Sequence, residues 1–435
     1  MEAFEKPYGY LPRIVDAQVE RYLRVFGAVE VTGTKWCGKT WTSLMHANSA
    51  TYIDDVVALA TDDPEMTLLG ERPHVVDEWQ LVPAIWDAVR REIDRQHGTS
   101  GAFILTGSSS PHATRTGQAS RPLHSGAGRI GRIRMQPMSL AESGESTAEV
   151  SLAGLFAGEF EPCVVPKDTA GLVDVACRGG WPEAVGMDVE DAQLISREYM
   201  QATLSQGMAE IGLDIERAHR LVAAIARTLG QAATYKTLIS DMFGDEEKPE
   251  AALGEGAVRR YLEALTSMYL VEEVPGWAPP ARSRKRFTVK PKRYLADPSL
   301  AVAVLGMSPA ALLQDWQTFG LVFENMAMRD LMVYARALDV LDEHPVRYYR
   351  DDSGLEADAI VELADGRWAA FEIKTSEAKV DEGVKSLRRL RTKLTATPHA
   401  RTPEPTFMAV ITGNGEYARE VESGIYVIPL RALGA

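Results

Sequence analysis

Apolar residues fall into different patterns in successive regions of the chain, and the changes of pattern divide it. Over roughly the first hundred residues, short aliphatic or β-branched runs (29–32, 74–77 and 102–105) alternate with stretches of helical period. Ile85, Trp86, Val89 and Ile93 fall on one face of a helix expected over 83–96, and residues 17–26 predict another. Residues 52–56 read as a further strand. Strands alternating with amphipathic helices predict a mainly parallel sheet covered on both faces.

From about 188 to 269 the helical period dominates. Leu221, Ile225 and Leu229 recur at spacing four, and Val258, Tyr261, Leu262, Leu265 and Met268 share a face that leaves Arg259 and Arg260 outward. An acidic loop with Gly and Pro (244–256) separates the last two helices, 235–241 and 255–269. Strands at 270–274 and 293–295 follow, and three helices followed by strands describe a winged helix-turn-helix. Further on, a helix from 319 to about 337 precedes strands at 346–350, 356–363 and 367–374, joined by Asp/Gly turns of hairpin type. A helix at 380–394 and strands at 407–411 and 425–428 complete an α-β-β-β-α-β order. The expected architecture is α/β: a core with a covered parallel sheet at 1–145, a helical lid or connector at 146–215, a winged helix at 216–300 and a C-terminal α/β domain at 301–435.

Chemistry enters at Gly33-Thr-Lys-Trp-Cys-Gly-Lys-Thr40, which fits G-x-x-x-x-G-K-[ST] between a strand and a helix. Gly33 and Gly38 let the backbone of Thr34, Lys35, Trp36 and Cys37 wrap a phosphate, with amides and the helix start at Thr40 and Trp41 aimed at the anion. Lys39 would neutralise the β- and γ-phosphates, and Thr40 would give its hydroxyl to Mg²⁺. About one βαβ unit later, His74-Val-Val-Asp-Glu78 is an apolar strand ending in two acids. Asp77 would hold Mg²⁺ through water and Glu78 would orient or polarise the attacking water. The strand at 102–107 ends in Thr106-Gly-Ser108, either a polar sensor of the γ-phosphate, with Ser108 the first candidate, or an ordinary Gly/Ser turn. Residues 113–134 carry Arg115, Arg121, Arg129, Arg132 and Arg134 with no acid. Arg129 is the first candidate for an arginine finger, with Arg132 the alternative and a solvated basic loop the plain reading. No Asn-Lys-x-Asp sequence occurs, which favours ATP over GTP.

Composition narrows the setting. Apolar content of 45% and charged content of 25% are those of a globular protein, and no apolar run approaches the ~20 residues that span a bilayer. The first residues carry no basic-then-apolar signal pattern, and Cys37, Cys163 and Cys177 make neither a disulfide framework nor a metal-type pair. A cytoplasmic protein is expected. Net charge −14 argues against a protein that coats nucleic acid generally, but three basic stretches oppose the total, the first being 113–134, whose arginines could also face DNA. Residues 282–293 at the expected wing and Lys385, Arg388, Arg389, Arg391 and Lys393 on a helix could lie along DNA phosphates or be solvated surface.

The segments Gly33–Thr40, Val75-Val-Asp-Glu-Trp-Gln80 and Ile104-Leu-Thr-Gly-Ser-Ser109 resemble a widespread prokaryotic family of AAA-type ATPases. So do Ala127-Gly-Arg-Ile130, Met135-Gln-Pro-Met-Ser-Leu140 and Gly179-Gly-Trp-Pro-Glu183. The resemblance implies an ATPase followed by helical and winged-helix segments and a C-terminal domain like PD-(D/E)xK nucleases. It also allows a homo-oligomer with sites completed across subunits, and a protein partner it does not name. Asp358 with Glu372-x-Lys374 resembles the nuclease core. Residues i and i+2 of a strand share a face, so Glu372 and Lys374 would project together toward Asp358 on the neighbouring strand. Asp358 and Glu372 would bind Mg²⁺, with Glu324 as an outer ligand and Lys374 positioning water or stabilising charge. Two functions follow: an ATP-driven enzyme controlling a nuclease-like domain on DNA, or a nucleotide-dependent switch whose nuclease-like fold binds without cutting.

Overall fold

The computed structural model describes residues 4–96, 99–107, 125–244, 254–279, 289–340, 343–396 and 402–435. It divides into two units, the first formed by residues 1–137, 181–183 and 263–270, the second by 138–180, 184–262 and 271–435.

The first unit is built on a five-stranded sheet. Its strands are β1 (Ala28–Gly33), β2 (Ser49–Tyr52), β3 (His74–Asp77), β4 (Phe103–Gly107) and β5 (Ile130–Met135), in the order β2-β3-β4-β1-β5. Every pairing is parallel, so both faces must be covered. The period of two along β1 sorts its side chains: Ala28 packs with Ile85, Trp86, Val89 and Ile93 of α4 (Ala84–Arg95). Val29 and Val31 pack on the other face with Val19 of α1 (Asp16–Val25) and Leu44 of α2 (Lys39–Met45). The strand expected at 52–56 instead lies at Ser49–Tyr52. The chain turns after it, because Ile53 N–H bonds the Asp77 carbonyl and Val56 N–H closes on Ile53 before α3 (Val57–Asp62).

In the second unit, short helices α5 (Leu140–Ser143) and α6 (Leu152–Ala157) lead to α7 (Thr169–Arg178), α8 (Val189–Glu210), α9 (Ile215–Arg227) and α10 (Tyr235–Phe243); α11 (Glu255–Ser267) begins in this unit and its residues from 263 on belong to the first. An antiparallel pair, β8 (Val271–Val274) and β9 (Lys292–Leu295), follows where two strands were expected. Helices α12 (Pro298–Val304), α13 (Pro309–Gln314) and α14 (Trp316–Arg336) precede a large sheet. Its strands are β7 (Cys163–Val164), β10 (Arg347–Arg350), β11 (Glu356–Glu362), β12 (Trp368–Lys374), β13 (Phe407–Thr412), β14 (Tyr417–Glu422) and β15 (Ile425–Pro429), in the order β10-β11-β12-β13-β15-β14-β7. Helix α15 (Val380–Thr395) covers one face through Val384, Leu387 and Leu390.

The α-β-β-β-α-β order is therefore present. The stretch expected as a helical lid or connector at 146–215 also contributes two short strands to pairings with the C-terminal region. Strand β7 is the edge of the C-terminal sheet, and β6 (Val150–Ser151) pairs in parallel with β16 (Leu433–Gly434). Strand β14 was not expected, since its mostly exposed side chains hide the period of two. A buried ion triad ties α14 to the chain before α12: Arg329 bridges Asp297 and Asp330, each at 2.8 Å. Among the described residues no helix is long and apolar enough to cross a membrane.

Candidate functional site

Parallel strands open their loops at the carboxyl edge of a sheet, where ligands of such folds bind. In the first unit that edge gathers the ends of β1, β3, β4 and β5, with Val31 opposite Thr106 and Gly33 opposite Met135. Gly33 has φ 148° and Gly38 φ 98°. A Cβ on Gly33 would lie 2.1 Å from the Met135 carbonyl oxygen, so this position requires glycine. The loop returns on itself: Lys39 Nζ donates to the Thr34 carbonyl at 2.7 Å, while the Thr34 hydroxyl is buried without a hydrogen-bond partner. Cys37 is fully buried in the apolar cluster beneath the loop and acts as filler there. Lys35 is half-buried, while Trp36 and Trp41 are exposed.

Strand β3 lies two strands from β1, so Asp77 starts about 10 Å away in the plane of the sheet. The first turn of α2 closes that gap, and Thr40 Oγ1 donates to Asp77 Oδ1 at 2.9 Å. Thr106 also donates to Asp77 Oδ1, and its hydroxyl accepts the Glu78 N–H at 3.2 Å. Burial pushes the Asp77 carboxyl upward, and the hydrogen bonds from Thr106 and Thr40 pull against it. Glu78 itself is in the left-handed region at φ 54°, as is Trp36 at φ 62°. Such backbone is held at a cost of about 1–3 kcal/mol and clusters at working sites. Gln80 Nε2 donates to the Glu78 carboxylate, a partner that the motif did not reveal.

Three candidates expected at this edge are placed as follows. Ser108 lies outside the described residues, and among those described Thr106 is the hydroxyl that engages the acids. Arg129 precedes β5 at the opposite, amino edge of the sheet and pairs with Asp94 of α4 at 3.0 Å, too far within this chain to reach the phosphate loop. Arg132 pairs with Glu30 at 3.0 Å and lies over the Trp86 ring. The loop is braced from below by Arg13, whose buried guanidinium donates to the carbonyls of Cys37 at 2.7 Å and Gln136 at 2.8 Å.

The carboxylates of the second unit meet as expected, but in other company. The register Ala359 opposite Phe371 carries Asp358 opposite Glu372, and Lys374 Nζ lies 2.6 Å from Glu372 and 3.8 Å from Asp358. Asp358 Oδ2 also accepts the Ile373 N–H at 2.8 Å. The ammonium of Lys292, from β9, reaches Glu356 at 2.7 Å, Asp358 at 3.4 Å and Glu324 at 3.6 Å. Tyr294, two positions on, donates to Glu324 at 2.7 Å.

Among the described residues no three His, Cys, Asp or Glu side chains are placed together to hold a metal ion. An ammonium stands among the carboxylates instead. Lys292 and Arg293 are buried and ion-paired, Arg293 with Glu273 at 2.9 Å, so neither is available to DNA phosphates as part of the 282–293 run. Residues 282–288 lie outside the described residues. On α15, Arg388 pairs with Glu422 and Lys393 with Asp351, whereas Lys385 and Arg389 are exposed. A lysine inside a basic run reads as surface, and only its place in a short strand beside Tyr294 hinted otherwise.

Comparison with known proteins finds three family models along the chain. Residues 26–144 match an AAA domain family, 169–311 a domain of unknown function (DUF8612) and 319–433 another (DUF4143). An uncharacterized protein of Mycobacterium tuberculosis is 26% identical over 378 residues, covering 85% of this chain and 75% of its own, and one of Mycobacterium bovis matches to the same extent. Among solved structures, the Walker-type ATPase PABY2304 of Pyrococcus abyssi overlays with TM-score 0.43 at 13% identity, over 70% of this chain and 99% of that one. The parallel sheet, the phosphate loop and the family match agree: residues 26–144 form an AAA-type P-loop ATPase domain.

Proposed function

We propose that the chain binds and hydrolyses Mg-ATP at the carboxyl edge of its five-stranded sheet. The observation that carries this reading is the 2.9 Å bond between Thr40 and Asp77, which joins motif halves 37 residues apart. The donor set fits a triphosphate with magnesium: a wrapping loop, one ammonium, a hydroxyl and a carboxylate. Lys39 exchanges the Thr34 carbonyl for phosphate oxygens. Thr40 and Asp77 would hold Mg²⁺, which when bound supplies positive charge to the β- and γ-oxygens. Glu78 orients and polarises the attacking water from a backbone fixed by Thr106, and Gln80 holds the other end of its carboxylate. Glu78→Gln keeps these contacts but removes the charge. Its ATP affinity should stay near wild type while turnover falls by a factor on the order of 100 or more. Unchanged turnover would take Glu78 out of this role.

The second unit is the natural target of the cycle. Helices α9 to α11 with the β8–β9 pair have the element order of a winged helix, and β10 to β13 with α14 and α15 that of a restriction-endonuclease-like core. We read them as a module that contacts DNA phosphates through Lys385 and Arg389, sequence-blind and salt-sensitive. Replacing both with Gln should weaken binding to duplex DNA and flatten its salt dependence; an unaltered salt slope would exclude that face. The switch-like alternative, binding without cutting, is favoured by one observation: the ammonium of Lys292 among the carboxylates.

A further inference from the structure

The cluster around Asp358 carries an inference that goes beyond ATP hydrolysis and does not depend on it. Glu324 from α14 and Glu356 and Asp358 from β11 converge on a single atom, Lys292 Nζ, at 3.6, 2.7 and 3.4 Å. The Lys292 side chain is only 4% exposed. An ammonium has three N–H donors and no acceptor; Glu356 and Asp358 lie within hydrogen-bond reach of it, and Glu324 adds a third negative charge at ion-pair distance. Asp358 Oδ2 accepts the Ile373 amide, and Glu324 Oε1, the oxygen that faces Lys292, also accepts the Tyr294 hydroxyl. Lys292 and Tyr294 are alternate residues of β9 and so share a face, and one strand delivers both the cation and the second donor. Lys374, the lysine of the expected motif, is a different group and belongs to Glu372.

We infer that Lys292 is a built-in cation seated where a divalent ion would have to bind, so that this cluster takes up neither Mg²⁺ nor Mn²⁺. Mg²⁺ needs oxygen ligands at about 2.1 Å and Ca²⁺ at about 2.4 Å. An ion at such distances from these oxygens would lie within a few ångströms of the ammonium, in a poorly hydrated space where like charges repel strongly. The seat serves one cation at a time, and Lys292 is covalently tethered to it. Metal-assisted phosphodiester cleavage at Asp358 and Lys374 is thereby excluded by the chain's own lysine, and the domain holds its ligand without that chemistry.

The test is Mn²⁺ titration of the full-length, nucleotide-free protein, with free Mn²⁺ followed by electron paramagnetic resonance. Wild type and Asp358→Asn should take up the same amount of Mn²⁺. Lys292→Met keeps the length of the side chain and removes its charge. It should gain about one further equivalent per chain, lost again in Lys292→Met with Asp358→Asn. Uptake by wild type that Asp358→Asn abolishes would overturn the inference, as would a Lys292→Met protein with a wild-type melting profile and no added site. Should Lys292→Met not fold, the wild-type and Asp358→Asn pair decides alone. ATP turnover is measured on the same samples, so failure of the ATPase reading would show separately.

Discussion

Asp77 and Asp358 are both enclosed aspartates with a lysine nearby, yet their surroundings treat their charge in opposite ways. Asp77 is held by the hydroxyls of Thr40 and Thr106. Asp358 is held by the ammonium groups of Lys292 and Lys374 and by one amide. Burial raises both carboxyls. At Asp77 the hydroxyls do not overcome it, so the net shift is upward. At Asp358 the two lysines do, and the net shift is downward. Neutral donors orient a carboxylate without cancelling its charge, which leaves it suited to a cation arriving with a ligand. Ammonium donors cancel it in advance. One site is prepared for an incoming ion and the other already contains its own.

The comparison breaks most sharply at Lys39. Lys39→Ala should reduce nucleotide affinity by a factor on the order of 100, as for loss of a charge-assisted contact worth about 3 kcal/mol. Titration with a fluorescent ATP analogue reads this directly, and near-normal affinity would mean the loop does not grip phosphate. In the second unit the lysines matter to stability. Lys374→Met leaves Glu372 and Asp358 facing each other and should cost about 3 kcal/mol in urea unfolding. A loss below about 1 kcal/mol would show the ion pair to be solvated. Thr106→Val keeps shape and removes the hydroxyl between Asp77 and Glu78. Turnover should fall about tenfold with little change in KM, and a pure KM effect would assign Thr106 to binding.

The smallest effect is in acid. His74, on the strand that ends in Asp77, is buried among Ser49, Thr51 and the Thr67 carbonyl, and burial holds its imidazole down at about 4. The unfolded chain then binds more protons between about pH 6.5 and pH 4, so stability falls as pH drops through that window. The loss between pH 7 and 5.5 should be about 1 kcal/mol. His74→Gln should remove that part of the slope, and an unchanged slope would place the titration elsewhere.

Much of this was legible in the linear chain. The phosphate loop, the acids ending β3 and helix α4 each rest on a local pattern, and each stands where that pattern put it. Strand β14 was missed because an exposed strand of mixed polarity has no apolar period to display. The place of Arg129 beside Asp94 was not legible because a basic, Gly-rich stretch does not reveal which edge of the sheet it will occupy. The bracing role of Arg13 has no local signal, since its two carbonyl partners lie 24 and 123 residues away.

Spacing in the sequence determined what neighbouring residues do together: which side chains share a face, where glycine frees a turn, which acids end a strand. Those are short-range properties of backbone geometry. Tertiary structure alone decided which distant charges meet. Lys292 and Asp358 are 66 residues apart, on β9 and β11, and their contact exists only because packing brings those strands beside α14. A buried charge requires a partner, and the fold, not the local pattern, chose an ammonium for it.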